Sequence, residues 1–520
     1  MKIRLLSIAL ITLILLSCFV GCDASKILNA IGRVVEEYAT KDELDELPDI
    51  LESVTVEDIW NDYMTETDSD HIQNPDDSYD SYDYDAALAN INVGMGGQDF
   101  TVLCRNDAGN ALNEMLREED SVDPLESAVY QRNLMLAEKC NINYVVVSVP
   151  TSSLFETLVN DLAAGGDGYH VAMPNMKDAG ALASKGCLRD FHDLPYVDLN
   201  AAWWDQGTAL MSIGGKVFWM NGDVNYFAHD VTFLMMFSKR IANEIDIENL
   251  YDTVINQEWT LDVLSSYVER TYCDLNGDAL QDESDRYGFL ACASYVGNCM
   301  FYASGLKYIE CPEDDQPYLC MTETEMLKAV DLADRLLGIL HNNSGTYVAK
   351  NGYEDIALDI FVDDRGLFYI ETASRVQDVK READDFGLLP LPKYDRDQAE
   401  YSTFTHGISS TMVVPDGPQN SEELSKVLEC MAILSGKHVI PAYYDQLLER
   451  KTVRDHESAG MLDIIFSNRT YDLAKYYELW LEGIFETAIA KGNNTFASTY
   501  QKNQTKSQKL LDKLMKQFDE

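Results

Sequence analysis

Short apolar runs alternate with helical repeats over most of the chain beyond its acidic N-terminal stretch. Residues 99–104, 144–149 and 169–173 are apolar runs of strand length. Helical repeats at residues 125–140 and 154–164 separate these runs. Strands that alternate with helices predict an α/β fold with a mainly parallel sheet.

The same pattern leads into a second set of elements. Residues 231–237 form an unbroken apolar run, which predicts a buried strand that crosses from one lobe to the other. Further elements are predicted at residues 260–272, 287–294, 310–321, 324–340, 366–371 and 386–394. We therefore expect two α/β lobes, with a hinge in the crossing strands near Asp230 and Gly387.

Several motifs follow one another in the middle of the chain. Gly214-Gly215-Lys216 precedes an aromatic strand, Ser238-Lys239 closes the apolar run, and Trp259-Thr260 begins a helix. An acidic loop then leads to Tyr287-Gly288. Their order and spacing resemble those of family 1 extracellular solute-binding proteins, the receptors of ABC importers, whose usual ligands are sugars. Ser238 stands where members of the family usually carry Asn.

The resemblance extends from about residue 100 to the C-terminus. Residues 129–133 and 386–394 resemble further motifs of the family, and residues 454–465 match a motif of a clostridial-type subgroup. The resemblance implies a two-lobed, periplasmic-binding-protein-like fold that captures a mono- or oligosaccharide and delivers it to ABC permease subunits. A monomer without enzymatic activity is expected. Lobe 1 is assigned to residues 94–229 and 385–445, and lobe 2 to residues 230–384 and 446–520.

The N-terminus has the pattern of an export signal. Lys2 and Arg4 precede an apolar stretch at residues 5–16, which is too short for a transmembrane helix. Cys18 and Cys22 both resemble the cysteine of a bacterial lipobox. Cys22 is favoured because Gly21 precedes it and a polar segment follows. Residues 1–22 are thus predicted to be a lipoprotein signal peptide, with a lipid anchor on the outer face of a bacterial cell membrane.

Residues 23–93 are predicted to be an acidic linker. They contain many Asp, Glu, Tyr and Ser residues and too few apolar ones to offset the entropy of ordering. Their like charges favour an extended tether. A docking segment with a short helix near residues 50–64 is the alternative.

Composition and motifs exclude several classes of function. The chain has 40 Lys and Arg against 88 Asp and Glu, a formal net charge of −48, so phosphate backbones would repel it. It lacks an HExxH metal motif, a Walker loop and a GxSxG elbow. Pairs such as Asp384-Asp385 are expected by chance among 88 acidic residues. A sensing or adhesion lipoprotein on the same scaffold, and less favourably a carbohydrate-active enzyme, remain as alternatives.

The ligand site is predicted from the resemblance and from what a sugar requires. A pyranose offers apolar C–H faces and polar edges, so its receptor needs aromatic platforms and side chains that form paired hydrogen bonds. The candidates that fall near the expected cleft are Trp203, Trp204, Trp219, Asn221, Asp223, Asp230, Tyr295, Asn298, Tyr369 and Glu371. Core packing is the alternative for Trp219, and helix capping for the pair Trp203-Trp204. Trp259 is assigned to packing.

The acidic loop at residues 274–285 predicts a structural calcium site. Its oxygen-bearing residues occupy positions 1, 3, 5, 7, 9 and 12 of an EF-hand-type loop. They are Asp274, Asn276, Asp278, Leu280 through its carbonyl group, Asp282 and Asp285. Ala279 replaces the usual Gly, Asp285 is shorter than the usual Glu, and a strand follows instead of a second helix. An acidic surface turn is the alternative.

The chain contains 11 cysteines, of which nine follow Cys22. Cys311 and Cys320 flank residues 312–317, whose neighbouring arms have a hairpin pattern. A disulfide between them and a pair of small buried thiols are both compatible with this pattern.

Overall fold

The computed structural model describes residues 82–519, apart from 107–109, 118–120, 248, 313–315, 351–354, 383–384 and 449–455. The signal sequence, both lipobox candidates, Cys18 and Cys22, and most of the predicted tether lie outside the described residues. Within the described ranges, no helix is long and apolar enough to cross a membrane.

The first half of the described chain builds lobe 1, and its strands and helices alternate as predicted. In chain order these elements are α1 (Tyr84–Asn90), β1 (Gln98–Arg105), α2 (Asn110–Asn113), α3 (Pro124–Cys140), β2 (Ile142–Val149), α4 (Thr151–Ala164), β3 (Val171–Met173), α5 (Met176–Ser184), α6 (Gln206–Ala209) and α7 (Tyr226–Asp230).

Helix α3 illustrates how local sequence sets these elements. The Asp123 carboxylate accepts hydrogen bonds from the backbone N–H groups of Leu125 and Glu126, and Pro124 occupies the first turn, where no N–H is needed. The helix ends at Asn141, whose φ of 48° lies in the left-handed region. The helix buries Leu136 in the apolar core of lobe 1 and Val129 in the neighbouring core that includes residues of lobe 2.

The sheet of lobe 1 is parallel, as predicted. Its strand order is β2-β1-β3, and single antiparallel bridges extend it beyond β3, from Ala172 to Val413 and from Met412 to Met220. The strand predicted at residues 214–219 is not regular. Ile213 and Lys216 close a tight turn there, and only Met220 pairs with the neighbouring segment.

Lobe 2 follows with a larger sheet. Its elements are β4 (Phe233–Ser238), α8 (Lys239–Glu244), α9 (Leu250–Ile255), α10 (Leu261–Thr271), β5 (Tyr287–Cys292), α11 (Val296–Ala303), β6 (Ile309–Glu310), β7 (Tyr318–Leu319), α12 (Glu323–His341), β8 (Thr346–Ala349), α13 (Ile356–Val362), β9 (Gly366–Thr372), α14 (Val376–Glu382) and β10 (Phe386–Leu389).

The five-stranded sheet of lobe 2 has the order β10-β4-β9-β5-β8. Strands β5, β8 and β9 are parallel, whereas β4 runs antiparallel to β9 and β10. Every residue of β4 and β5 is buried, as expected for strands covered by helices on both faces.

Three segments cross between the lobes. Thr232 pairs with Thr405 through an antiparallel bridge, and β11 (Thr403–Phe404) pairs in parallel with β12 (Arg469–Thr470). The prediction of a hinge near Asp230 agrees with the first crossing. The prediction near Gly387 is wrong, because Gly387 pairs with Phe237 inside the sheet of lobe 2.

The C-terminal helices contact both lobes. They are α15 (Ser421–Leu434), α16 (Ile440–Leu448), α17 (His456–Ser467), α18 (Leu473–Tyr476), α19 (Ile484–Ala490) and α20 (Phe496–Asp519). α18 packs against α5 of lobe 1 so closely that a Cβ on Gly180 would lie 2.4 Å from the Tyr476 carbonyl oxygen. α19 packs against α11 of lobe 2. A continuous apolar core therefore extends from Leu158 in lobe 1 to Leu332 in lobe 2.

The end of the predicted tether is folded. Helix α1 begins after Asp83, whose carboxylate caps the backbone N–H of Ala86. It packs against α15, and Asp85 forms an ion pair with Lys437 at 2.5 Å. Two of its apolar side chains, Ala87 and Leu88, pack against the lobe 1 core, so this last part of residues 23–93 belongs to the folded body.

The predicted hairpin around Cys311 and Cys320 is confirmed as the pair β6 and β7. Its register pairs Ile309 with Leu319, and the Cys320 N–H donates to the Tyr308 carbonyl oxygen. Cys311 and Cys320 therefore do not stand opposite each other, and both are free thiols. Of the two alternatives, the structure has the pair of partly buried thiols.

Candidate functional site

The carboxyl ends of the main parallel strands converge on the crossing segments. β4 starts one residue after Thr232, and its first residue, Phe233, pairs with Thr372 at the end of β9. In lobe 1, Asn175 follows β3 and pairs with Ser410, close to the second crossing segment. Open α/β sheets bind ligands in the crevice outside the carboxyl ends of their strands. The candidate site is therefore sought beside the crossing segments.

Three of the predicted ligand residues meet at the strand ends of lobe 2. The Tyr295 hydroxyl donates to Glu371 Oε2 at 2.6 Å, and the Tyr369 hydroxyl lies 3.5 Å from the same oxygen. Glu371 Oε1 accepts the backbone N–H of Thr372 at 2.8 Å. Burial and the charge of Glu371 raise the pKa of Tyr295, so its hydroxyl remains a donor.

An aromatic stack adjoins this cluster. The Tyr295 ring lies 4.9 Å from the Phe233 ring, and Phe233 stacks on Phe404 at 5.6 Å with an interplanar angle of 12°. Phe404 belongs to the second crossing segment, so the stack joins the sheet of lobe 2 to the hinge. Phe233 and Phe404 are 1% and 2% exposed and belong to the apolar core, so they support the cluster from below.

A second polar cluster adjoins Phe404. The Lys475 ammonium is 3.8 Å from the Phe404 ring centroid and 4.0 Å from Glu482 Oε1. Burial lowers the pKa of Lys475 to about 8, and burial raises the pKa of Glu486 to about 7 although Lys475 opposes this. The predicted residue Asn298 belongs here, since its side-chain N–H donates to Glu486. His406 adjoins the cluster, and burial together with Lys475 lowers its pKa to about 4.

A third network surrounds the crossing at Arg469. Asp205 Oδ2 accepts hydrogen bonds from Arg469 at 2.8 Å and from the Tyr471 hydroxyl at 2.7 Å. The predicted residue Asn221 donates to the Tyr471 oxygen at 3.3 Å. Arg469 also donates to His229 Nδ1 at 3.2 Å, and burial followed by the charge of Arg469 lowers the pKa of His229 well below its usual value. His229 is therefore neutral here, and the network holds the lobe 1 loops to the C-terminal segment.

The remaining predicted acidic residues are buried near the hinge. Burial raises the pKa of Asp223 well above its usual value, with Arg469 acting in the opposite direction. Asp230 accepts a hydrogen bond from the Tyr443 hydroxyl at 3.0 Å, and burial raises its pKa to about 7. Both residues precede Thr232, where the first crossing is paired with Thr405.

The three predicted tryptophans occupy packing positions. The indole N–H groups of Trp203 and Trp204 donate to the two oxygens of Glu429, at 2.9 and 3.0 Å. Trp219 donates to the Tyr477 hydroxyl at 3.4 Å and stands edge-on to Tyr476. All three indoles are at most 9% exposed. Their role as sugar platforms stays a prediction, whereas the structure accounts for each by burial and a hydrogen bond within the protein.

The acidic loop uses its carboxylates internally. Asp274 accepts from the backbone N–H groups of Gly277 and Ala279, and Asp278 accepts from that of Leu280. Asp285 is fully buried and accepts from the Tyr272 hydroxyl at 3.0 Å. Over the described residues, no three His, Cys, Asp or Glu side chains are arranged to hold a metal ion. The calcium site stays a prediction.

Two cavities lie elsewhere on lobe 2. One of about 540 Å³ lies between α10 and α12, beside Asp262 and Arg335. Another of about 490 Å³ lies beside Lys328 and Tyr394. Neither is lined by a predicted ligand residue, and both lie on the helical layer rather than at the strand ends. The chemistry of the site is therefore assigned from the strand ends.

Comparison with solved structures identifies the fold. A cyclic alpha-maltosyl-1,6-maltose binding protein from Arthrobacter globiformis matches 81% of this chain and 100% of its own, with 13% identity and a TM-score of 0.52. A cyclo/maltodextrin-binding protein complexed with maltotetraose matches 80% of this chain and 96% of its own, with 16% identity and a TM-score of 0.51. UspC of M. tuberculosis matches 79% and 100%, with 15% identity and a TM-score of 0.51.

Sequence comparison adds no relative to these. A scan against protein-family models finds no match, and a search among curated proteins finds none either. At such low identities the structural matches establish the fold alone. The chain has the two-lobed α/β fold of these proteins, as the strand pattern and motifs predicted.

Proposed function

We propose that the protein captures a carbohydrate between its two lobes and delivers it to the permease subunits of an ABC importer. The observation that carries the proposal is the cluster at the strand ends of lobe 2. There, Tyr295, Glu371 and Asn298 present donors and acceptors, and the partly exposed ring of Tyr295 supplies an apolar face. A sugar needs both kinds of contact, because its faces are apolar and its edges are polar.

The fold comparison supports the same reading. Two of the three similar structures are named as binding proteins for maltose-type or maltodextrin-type ligands. The three crossing segments supply a hinge, and closure of the lobes would bury a ligand at the strand ends. Transfer of a ligand to a permease is expected to need this opening and closing.

The cellular setting is part of the proposal. The N-terminal pattern supports export and diacylglycerol attachment at Cys22, which would place the protein on the outer face of a bacterial membrane. Two acyl chains give stable anchoring, whereas one is marginal. Mass spectrometry of the native N-terminus tests this: a mature chain that starts at a modified Cys22 is expected, and an unmodified terminus would contradict it.

The binding function is tested by thermal shift and calorimetry against mono- and oligosaccharides, with amino acids and peptides as controls. We expect at least one carbohydrate to raise Tm. Tyr295→Ala should lower the affinity for that carbohydrate about tenfold or more, because the substitution removes a hydrogen-bonding group and an aromatic face. Tyr318→Ala is the matched control, since Tyr318 is 48% exposed and lies in β7, outside the cluster of Tyr295, Tyr369 and Glu371.

Two outcomes would contradict the proposal. Stabilisation by peptides alone would overturn the carbohydrate assignment. Unchanged affinity in Tyr295→Ala would overturn the site. Incubation with labelled oligosaccharides completes the test, because the appearance of product would indicate an enzyme instead of a receptor.

A further inference from the structure

The Lys475 side chain is a buried cation without a hydrogen bond. It is 8% exposed, and its Nζ atom has no hydrogen-bond acceptor among the described residues. The ion-pair contact to Glu482 Oε1 is 4.0 Å long, beyond hydrogen-bond distance. An ammonium group carries three donors, so Lys475 has donors free for an added acceptor. The Phe404 ring lies 3.8 Å from Nζ and helps to hold the group in place.

Asn298 carries a buried acceptor atom that lacks a hydrogen-bond donor in the described part of the chain. The residue is 7% exposed, and this acceptor is its Oδ1 atom. Its amide N–H donates to Glu486, which fixes the orientation of the group. Asn298 lies in α11 of lobe 2, whereas Lys475 lies in α18, which packs against α5 of lobe 1. The two groups thus come from two elements remote in sequence, and both interact with Glu486.

The neighbours of these groups define the chemistry of the position. Glu486 interacts with both, by a hydrogen bond with Asn298 and by its charge with Lys475. Glu482 also faces Lys475, and Glu371 adds its charge at neighbouring Cys299. An anionic ligand would meet these carboxyl groups, and a cationic ligand would meet Lys475. A hydroxyl group fits both unpaired groups, because it accepts a hydrogen bond as well as donating one.

We propose that Lys475 and Asn298 form a subsite for neighbouring hydroxyl groups of an uncharged sugar, with Lys475 Nζ donating and Asn298 Oδ1 accepting. This inference rests on the proposed function and specifies the ligand class as neutral carbohydrate. A sugar held by both residues bonds to α11 and α18 at the same time, so its affinity depends on both side chains.

The test compares Lys475→Met with wild type in the full mature chain. The probes are glucose, galactose, mannose, xylose, maltose and maltotriose, with glucuronate and galacturonate as anionic counterparts. Methionine preserves an unbranched apolar side chain against Phe404 but removes the donors. We expect the affinity for the best neutral probe to fall about ten- to a hundredfold. The Tm without ligand is measured for both proteins, because removing Lys475 leaves Glu482 and Glu486 without a cation and any loss of stability must be separated from a loss of binding.

Asn298→Ala and Lys491→Met complete the design. Asn298→Ala should lower the affinity for the same probe. Lys491→Met alters an exposed lysine at the end of α19 and should bind the probe with the affinity of wild type. Equal affinity of wild type and Lys475→Met, or preference for the uronates, would overturn this inference and leave the carbohydrate receptor standing. If wild type binds none of the sugars, the inference fails together with the proposed function.

Discussion

Glu429 is the residue that decides how two of the tryptophans are used. Its carboxylate accepts hydrogen bonds from the indoles of both Trp203 and Trp204 and is 4% exposed. Burial raises its pKa to about 7, although the two indole donors oppose this. Two adjacent buried indole N–H groups therefore depend on one side chain.

We predict that Glu429→Ala lowers the free energy of unfolding by about 2–5 kcal/mol, because two buried donors lose their acceptor and a cavity opens. Chemical denaturation followed by tryptophan fluorescence measures both the stability and the indole environment. Glu422→Ala, at an exposed position of the same helix, is the control and should change stability by less than about 1 kcal/mol. Equal effects of the two variants would contradict the role given to Glu429.

Individual site residues could be predicted only where their position in the sequence distinguishes them from core residues. Tyr295, Glu371 and Asn298 follow or end predicted strands at positions where the resemblance implies the cleft, and the structure brings them close to the crossing segments. The three tryptophans had no such distinguishing signal, since an indole in a core and an indole under a sugar have the same local sequence. Lys475 was missed because burial of a lysine arises only from distant elements, here Phe404 and α11.

At the scale of elements, the acidic loop is described by the bend of its backbone and by its internal hydrogen bonds. Ala279 has a φ of 62°, so it adopts the left-handed bend that Gly usually provides at this position. Asp274 caps the loop by accepting two backbone N–H groups, at 2.7 and 2.9 Å. The loop follows α10 and leads into β5, so it connects a helix to the sheet of lobe 2.

We predict that calcium raises the Tm of chelator-treated protein, because a ligand that binds only the folded state stabilises it by mass action, about 2.7 kcal/mol at a concentration 100 times Kd. Asp274→Asn should abolish the shift, whereas Asp262→Asn, an 80% exposed carboxylate outside the loop, should retain it. Calorimetric scans with and without calcium provide the measurement. An unchanged Tm in wild type would assign the loop to an acidic surface turn.

Some helices and strands could be predicted from their local sequence, and others could not. Helix α3 and strands β4 and β5 were predictable, because caps and unbroken apolar runs are local signals. The second crossing was not, since β11 is only two residues long and pairs with β12 far along the chain. The hairpin of Cys311 and Cys320 was predicted correctly, but its register depends on pairing that side-chain pattern does not specify in so short a ladder.

For the whole molecule, the alternation of strands and helices correctly predicted the two-lobed fold. How the C-terminal helices join the lobes was beyond prediction, because α18 and α19 pack against helices remote in sequence. Net charge is a second property of the whole molecule. With a formal net charge of −48, the negative side chains repel one another in the compact folded state, and this repulsion grows as the remaining carboxyl groups ionise.

Several buried carboxyl groups ionise unusually late. Burial raises the pKa of Glu114, Asp230, Glu429 and Glu486 to about 7 and that of Asp472 to about 6. The folded state therefore binds more protons than the unfolded state between about pH 4.5 and 7, so the stability from these groups is lost as pH rises through 7. Buried His406 acts in the opposite direction, since burial lowers its pKa to about 4.

We predict that Tm falls by several degrees between pH 6 and pH 8 at constant ionic strength, because the raised carboxyl groups outnumber the opposing histidines in this interval and the net negative charge grows. Differential scanning calorimetry across this range measures the slope. Asp230→Asn should make it shallower, since Asn keeps an acceptor for the Tyr443 hydroxyl but does not titrate. Added salt screens the general repulsion but leaves the buried groups nearly unaffected, so a slope that survives high salt belongs to them. A Tm that rises from pH 6 to pH 8 would contradict this assignment.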